Sequence, residues 1–192
     1  MPFQITAGTI PNRYLGASSE SGIALAEAAS RINNRYADAL SHPLAPHVSG
    51  HAQVGILKAG RLAPWLALDF LLAVRPHAFG ISIDTWIARI AGRLGPGSTL
   101  GTLELRGERI FIRGPQGEDA YRAATLLWES VMEGWSDNQI RTLRLLREEG
   151  SQRKVAAAMG VTPQSVNDTL RRMHWPRLKK SLELMGGMLS SG

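Results

Sequence analysis

The chain of 192 residues contains no cysteine. That absence excludes disulfides, thiolate zinc sites and a cysteine nucleophile, and it points to a reducing compartment. No apolar run approaches the roughly 18 residues that a membrane span needs. The opening segment MPFQITAGTI lacks the basic and long apolar parts of a signal peptide. A cytoplasmic protein without membrane contact is therefore expected. Internal repeats and low-complexity segments are also missing.

Hydrophobic residues make up 44% of the chain, enough for a real core, and the formal net charge is +6. The charge is uneven. Residues 1–135 carry twelve basic and eleven acidic side chains, a net of +1. Residues 136–180 carry ten basic side chains against Asp137, Glu148, Glu149 and Asp168, a net of +6. Such asymmetry points to a polyanionic partner for the C-terminal part. A solvated face on a basic protein is the plainer alternative.

Periodicity divides the chain into two domains. Phe3–Thr6 has the pattern of a strand, and residues 8–22 read as loop. Residues 19–40 predict a helix with Leu25, Ala28, Ala29, Ile32, Tyr36 and Leu40 on one face. Two prolines then make Ser41–Pro46 a break. Val48–Leu57 predicts a strand with a hairpin at Gly50 or Gly55. Leu62–Val74 predicts a buried helix with Pro64 in its first turn, interrupted only by Asp69. A strand at Phe79–Ile83 and a short helix at Thr85–Leu94 follow. A hairpin of Leu100–Leu105 and Arg109–Arg113, then a helix at Glu118–Met132, complete the series. Strands interleaved with helices favour an α+β or α/β sandwich of ferredoxin-like or nucleotide-cyclase-like type over residues 1–133.

Residues 134–192 predict a helix-turn-helix domain. Ser136 and Gln139 form a capping box, with Trp135 and Ile140 as the hydrophobic staple. Residues 136–149 make a supporting helix with Ile140, Leu143 and Leu146 inward. Residues 151–159 make the first helix of the motif, burying Val155, Ala156 and Met159. Gly160 supplies the left-handed turn. Thr162 caps the second helix and Pro163 opens it, while Val166 and Leu170 anchor it. Gln164, Ser165, Asn167, Asp168, Arg171 and Arg172 are left exposed. Gln164 and Asn167 suit adenine, Ser165 suits base edges or phosphate, and Arg171 suits guanine or phosphate. Gln152, Arg153, Lys154, Thr162, Arg172 and Arg177 complete the candidate DNA-contact set. The basic members among these six are cast as phosphate contacts. Three short helices of this kind also occur in protein-interaction modules, and Asp168 on the reading face repels phosphate.

In order, the chain resembles the SatD-like family, an α/β domain followed by a sigma-factor-like helix-turn-helix. The resemblance rests on WSDNQIRTLRLLREEGSQRKVAAAMGVTPQSVNDTLRRMHWPRLKK, on FGISID followed by GPGSTLG, and on GPQGEDAYRAATLL. It implies a cyclase-like N-terminal domain whose first strand ends in an acidic segment and whose second carries another. This chain departs from both patterns. Ile5–Thr9 has no acid, and His51 stands where the second Asp falls. Two-metal phosphoryl chemistry needs carboxylates, so no catalytic residue, metal or cofactor is expected. The domain is then a degenerate relative that serves dimerisation, small-molecule or nucleotide sensing, or both.

Other signals are weaker. His51 reads as structural, with a base or ligand as the alternative; His42 and His47 flank prolines in a loop, and His77 and His174 have no nearby partners in sequence. Gly95–Thr99 lacks the lysine of a phosphate loop and reads as a turn. Asp69 within an apolar helix reads as one half of a buried pair with arginine, with ligand binding as the alternative. The expected function is that of a bacterial transcriptional regulator binding double-stranded DNA as a homodimer. An inactive nucleotide-binding protein and a protein-interaction scaffold are the alternatives.

Overall fold

Alternation builds the central strand: Phe3, Ile5 and Ala7 of β1 (Phe3–Thr9) are fully buried on one face. The computed structural model describes residues 2–9, 19–46, 52–75, 79–84, 109–114 and 118–191. After β1 come α1 (Ser19–Arg35), β2 (Leu40–Pro46), β3 (Ala52–Leu57), a 3-10 turn (Gly60–Leu62), α2 (Ala63–Val74) and β4 (Phe79–Asp84). Then follow β5 (Ile110–Arg113), α3 (Glu118–Glu133), α4 (Asp137–Glu149), α5 (Gln152–Met159), α6 (Pro163–Arg172) and α7 (Trp175–Ser190).

The sheet order is β2-β3-β1-β4-β5. β1 lies antiparallel between β3 and β4, β2 is antiparallel to β3, and β5 runs parallel to β4. The class is α+β, with a five-stranded mixed sheet and seven α-helices among the described residues. The Phe3–Ile5 face meets the helices, and the Phe3 ring touches the turn at Gly60. The other face is polar yet buried: Gln4, Thr6, Ser82 and Asp84 are at most 9% exposed. Arg113 pairs with Asp84 there at 3.2 Å.

Three expectations are corrected. Ser41–Pro46 is part of a strand, not a break. β2 lies at the sheet edge, where Pro43 and Pro46 need not donate to a second neighbour, and register shifts absorb the irregularity. The first helix ends at Arg35 rather than at Leu40. Tyr36 and Leu40 are both buried, so helical spacing could not separate the last turn from the strand that follows it. Gly55 is not a hairpin turn but lies within β3 opposite Ile5. A Cβ there would stand 3.0 Å from the His42 carbonyl oxygen. The strand expected at Val48–Leu57 begins at Ala52 among the described residues.

The helix at Thr85–Leu94, the turn at Gly95–Thr99 and the arm Leu100–Leu105 lie outside the described residues. So do His47, His51, His77, Gly50 and most of the loop assigned to residues 8–22.

The helices end where their residues dictate. α2 starts with Pro64 in its first turn and is buried nearly all round. α3 buries Tyr121, Thr125, Trp128 and Met132 on one face. α7 was not foreseen. Trp175, Leu178, Leu182, Met185 and Leu189 give it a buried helical stripe, but the pair Gly186-Gly187 obscures it in sequence. Gly186 is needed there, because a Cβ would fall 2.5 Å from the Arg61 carbonyl oxygen.

One hydrophobic cluster runs from Phe3 through α2 to Leu189, across Gly134. Among the described residues no helix is long and apolar enough to cross a membrane. No group of three or more His, Cys, Asp or Glu converges there as a metal site.

Candidate nucleic-acid interface

The C-terminal helices begin at a complete capping box. The Ser136 side chain accepts from the Gln139 backbone N–H, and the Gln139 side chain accepts from the Ser136 N–H at 2.8 Å. Trp135 and Ile140, the staple pair, are both buried. α4 ends at Gly150, φ 73°, and α5 ends at Gly160, φ 67°. Both are left-handed positions that glycine takes at little cost. Ser151 caps α5, and Thr162 caps α6 by accepting from the Ser165 N–H at 3.1 Å. His174, φ 55°, makes the left-handed turn into α7.

Burial sorts the side chains of α5 and α6. Val155, Ala156, Val166, Leu170 and Met173 lie in the core. Ala156 is 3% exposed, so a larger residue there would have to be fitted into the core. Gln152, Arg153, Lys154, Thr162, Gln164, Ser165, Arg171, Arg172 and Arg177 are exposed. Asn167 and Asp168, expected to be exposed, are half-buried. Asp168 is covered by its own helix: Gln164 Nε2 donates to its Oδ1 at 3.0 Å, and Arg172 Nε donates to its carbonyl at 3.3 Å. The Thr162 and Ser165 hydroxyls bond each other at 2.9 Å. The outer face of α6 thus links Gln164, Asp168 and Arg172 in one row and also carries the exposed Arg171.

The structure divides the basic side chains of residues 136–180. Arg141, Arg153, Lys154, Arg171, Arg172, Arg177, Lys179 and Lys180 are exposed, whereas Arg144 and Arg147 turn inward. Arg144 Nη2 donates to the Leu72 carbonyl at the end of α2. Arg147 bonds both Asp69 oxygens, at 2.8 and 2.9 Å, and lies 4.6 Å from the Trp65 ring centroid. Arg35 joins Asp69 at 2.9 Å, and the Tyr36 hydroxyl donates to it at 2.7 Å. Asp69 is therefore the buried partner of arginine.

Burial, then the Asp69 charge and hydrogen bond, push the Tyr36 hydroxyl well above the ordinary tyrosine range. Burial works against the Arg147 charge, but the Asp69 contacts outweigh it and raise its pKa. Sequence reasoning missed the Arg147 partner because it lies 78 positions from Asp69.

Comparison of the chain with protein-family models, with characterised proteins and with solved structures returned no match.

Proposed function

We propose that α5 and α6 form a helix-turn-helix that reads double-stranded DNA, and that the protein is a transcriptional regulator. The observation that carries this reading is the set of exposed side chains Gln164, Arg171 and Arg172, with the half-buried Asp168 bonded to Gln164, on a capped helix whose other face is anchored by Val166 and Leu170. α6 enters the major groove with its N-terminal half. Gln164 Nε2 has two hydrogens. One is held by Asp168. The other donates to adenine N7 while Oε1 accepts from N6. Asp168 thus orients the reading amide, and its negative charge discourages phosphate from occupying that row. Arg171 takes guanine or phosphate, and Asn167 and Ser165 work from the flanks. Arg153, Lys154, Arg172 and Arg177 hold phosphates. Thr162 and Gln152 stand at the helix starts, beside backbone N–H groups that suit phosphate.

The strand order β2-β3-β1-β4 with α1 and α2 between strands supports a ferredoxin-like core for residues 1–133, extended by β5. Residues 134–192 then form the DNA-binding domain, and no catalytic residue is assigned. A homodimer fits because one reading helix spans too few base pairs. Leu127 and Val131 of α3 and Leu184 and Met188 of α7 are exposed. Trp128 joins the two helices through Ser181 at 2.9 Å. A second copy of this chain is the proposed cover for that face.

The test is selection of bound sequences from random duplexes at two salt concentrations, followed by binding of the selected site. Gln164→Ala and Arg171→Ala should each cost about 1–3 kcal/mol of binding, with circular dichroism unchanged. Equal binding by wild type and the double variant would sink the reading.

A further inference from the structure

A second basic site lies away from α6. A groove of about 600 Å³ between the end of α2, the start of β5 and one side of α4 is lined by Arg75, Arg109, Arg141 and Arg144, with Asp137 and Ile140. Among the described lining residues, four guanidiniums meet one carboxylate. Three of the arginines are already placed by bonds to backbone carbonyls. Arg75 reaches Met132 at 3.0 Å and Trp135 at 3.4 Å, Arg109 reaches Phe79 at 3.3 Å, and Arg144 reaches Leu72. Their guanidiniums are held in place before any ligand arrives, so little side-chain entropy remains to be lost on binding.

Arg144 Nε is buried with no hydrogen-bond partner among the described residues. An adjoining apolar recess shares Arg75, Arg109 and Ile140 and adds Trp135. Trp135 is 8% exposed, and its Nε1 has no partner among the described residues. Of the recess acids, Glu129 already accepts from the Arg109 and Ile110 N–H groups at 2.7 Å, and Glu133 is exposed. The unsatisfied Arg144 donor and the clustered positive charge of the groove match a ligand rich in acceptor atoms and negative charge. Planar guanidiniums fit phosphate oxygens in pairs, and Arg75, Arg141 and Arg144 against Asp137 give the described lining more positive charge than one monoanion balances.

We propose that this groove binds a small ligand bearing two or more phosphate groups. The site touches α2, β5 and α4, so its occupant would bridge residues on both sides of Gly134. It does not depend on the reading of α6, and failure of the Gln164 and Arg171 test leaves it standing.

Inorganic pyrophosphate is the probe, titrated calorimetrically into the full chain at about 0.15 M salt. Saturable binding of one pyrophosphate per chain, with a raised Tm, is expected. Arg141→Gln, at an exposed position, should weaken binding by about tenfold or more while the ligand-free Tm stays unchanged. Arg153→Gln with Arg172→Gln should leave it intact. Absence of saturation overturns the proposal, as does equal weakening by the α5 and α6 variants. It is also overturned if Arg141→Gln weakens duplex DNA binding as much as pyrophosphate binding and DNA displaces the probe, which would assign the groove to the DNA backbone.

Discussion

At the scale of single residues, Asp69 decides most. Its sequence context, one acid in an apolar helix, gave away burial and the type of partner but not which arginine. Arg147 and Arg35 come from helices distant in sequence, and only folding brings them to one carboxylate. Asp69→Ala leaves Arg147 half-buried without its partner, so it should cost about 3 kcal/mol of stability. This reads as a lower urea midpoint with an unchanged m value. Glu183→Ala, which breaks only the exposed 3.9 Å pair with Lys179, should change stability by less than about 0.5 kcal/mol. Tyr36 adds a pH dependence. Its folded pKa lies above the unfolded value of about 10, so its contribution is full below that pH and lost as pH rises. Tyr36→Phe should be less stable near neutrality by about 1 kcal/mol. Its urea midpoint should fall less steeply than that of wild type above about pH 10, and parallel curves would contradict the assignment.

At the scale of elements, the caps were the most legible features. Ser136, Gln139, Gly160, Thr162 and Pro163 act within a few residues of chain, so their meaning is local and survives folding unchanged. β2 and α7 were not legible. The prolines of β2 are tolerated only because the strand lies at an edge, and the glycines of α7 only because the Gly60–Leu62 turn packs against one of them. Both are facts about neighbours. The two glycines of α7 therefore separate cleanly. Gly187→Ala meets nothing within 4 Å and should stabilise the helix by about 0.5–1 kcal/mol. Gly186→Ala should destabilise by about 1–3 kcal/mol through overpacking against Arg61. Thermal unfolding of the two variants, shifting in opposite directions, checks this.

At the scale of the whole molecule, the C-terminal helices are seated on the α+β core rather than strung from it. Trp175 meets Trp65 edge to face with centroids 6.2 Å apart, and Arg147 and Arg144 bind α2 from α4. If the α3–α7 face pairs with a second copy, Leu127→Glu with Leu184→Glu should shift sedimentation to that of a monomer. The same change should weaken binding to a two-fold symmetric DNA site more than to a half-site. Unchanged sedimentation of a wild-type monomer would remove the dimer from the reading.

The charge excess of residues 136–180, the capped helix pair and the outward Gln164, Ser165, Arg171 and Arg172 of α6 follow from the chain itself, because periodicity and capping act over a few residues. Two things were decided by tertiary contact. Two of the ten basic side chains turned inward, and arginines from the end of α2, the start of β5 and α4 came to line one groove. Long-range packing selects such partners, and no local pattern in the sequence records them.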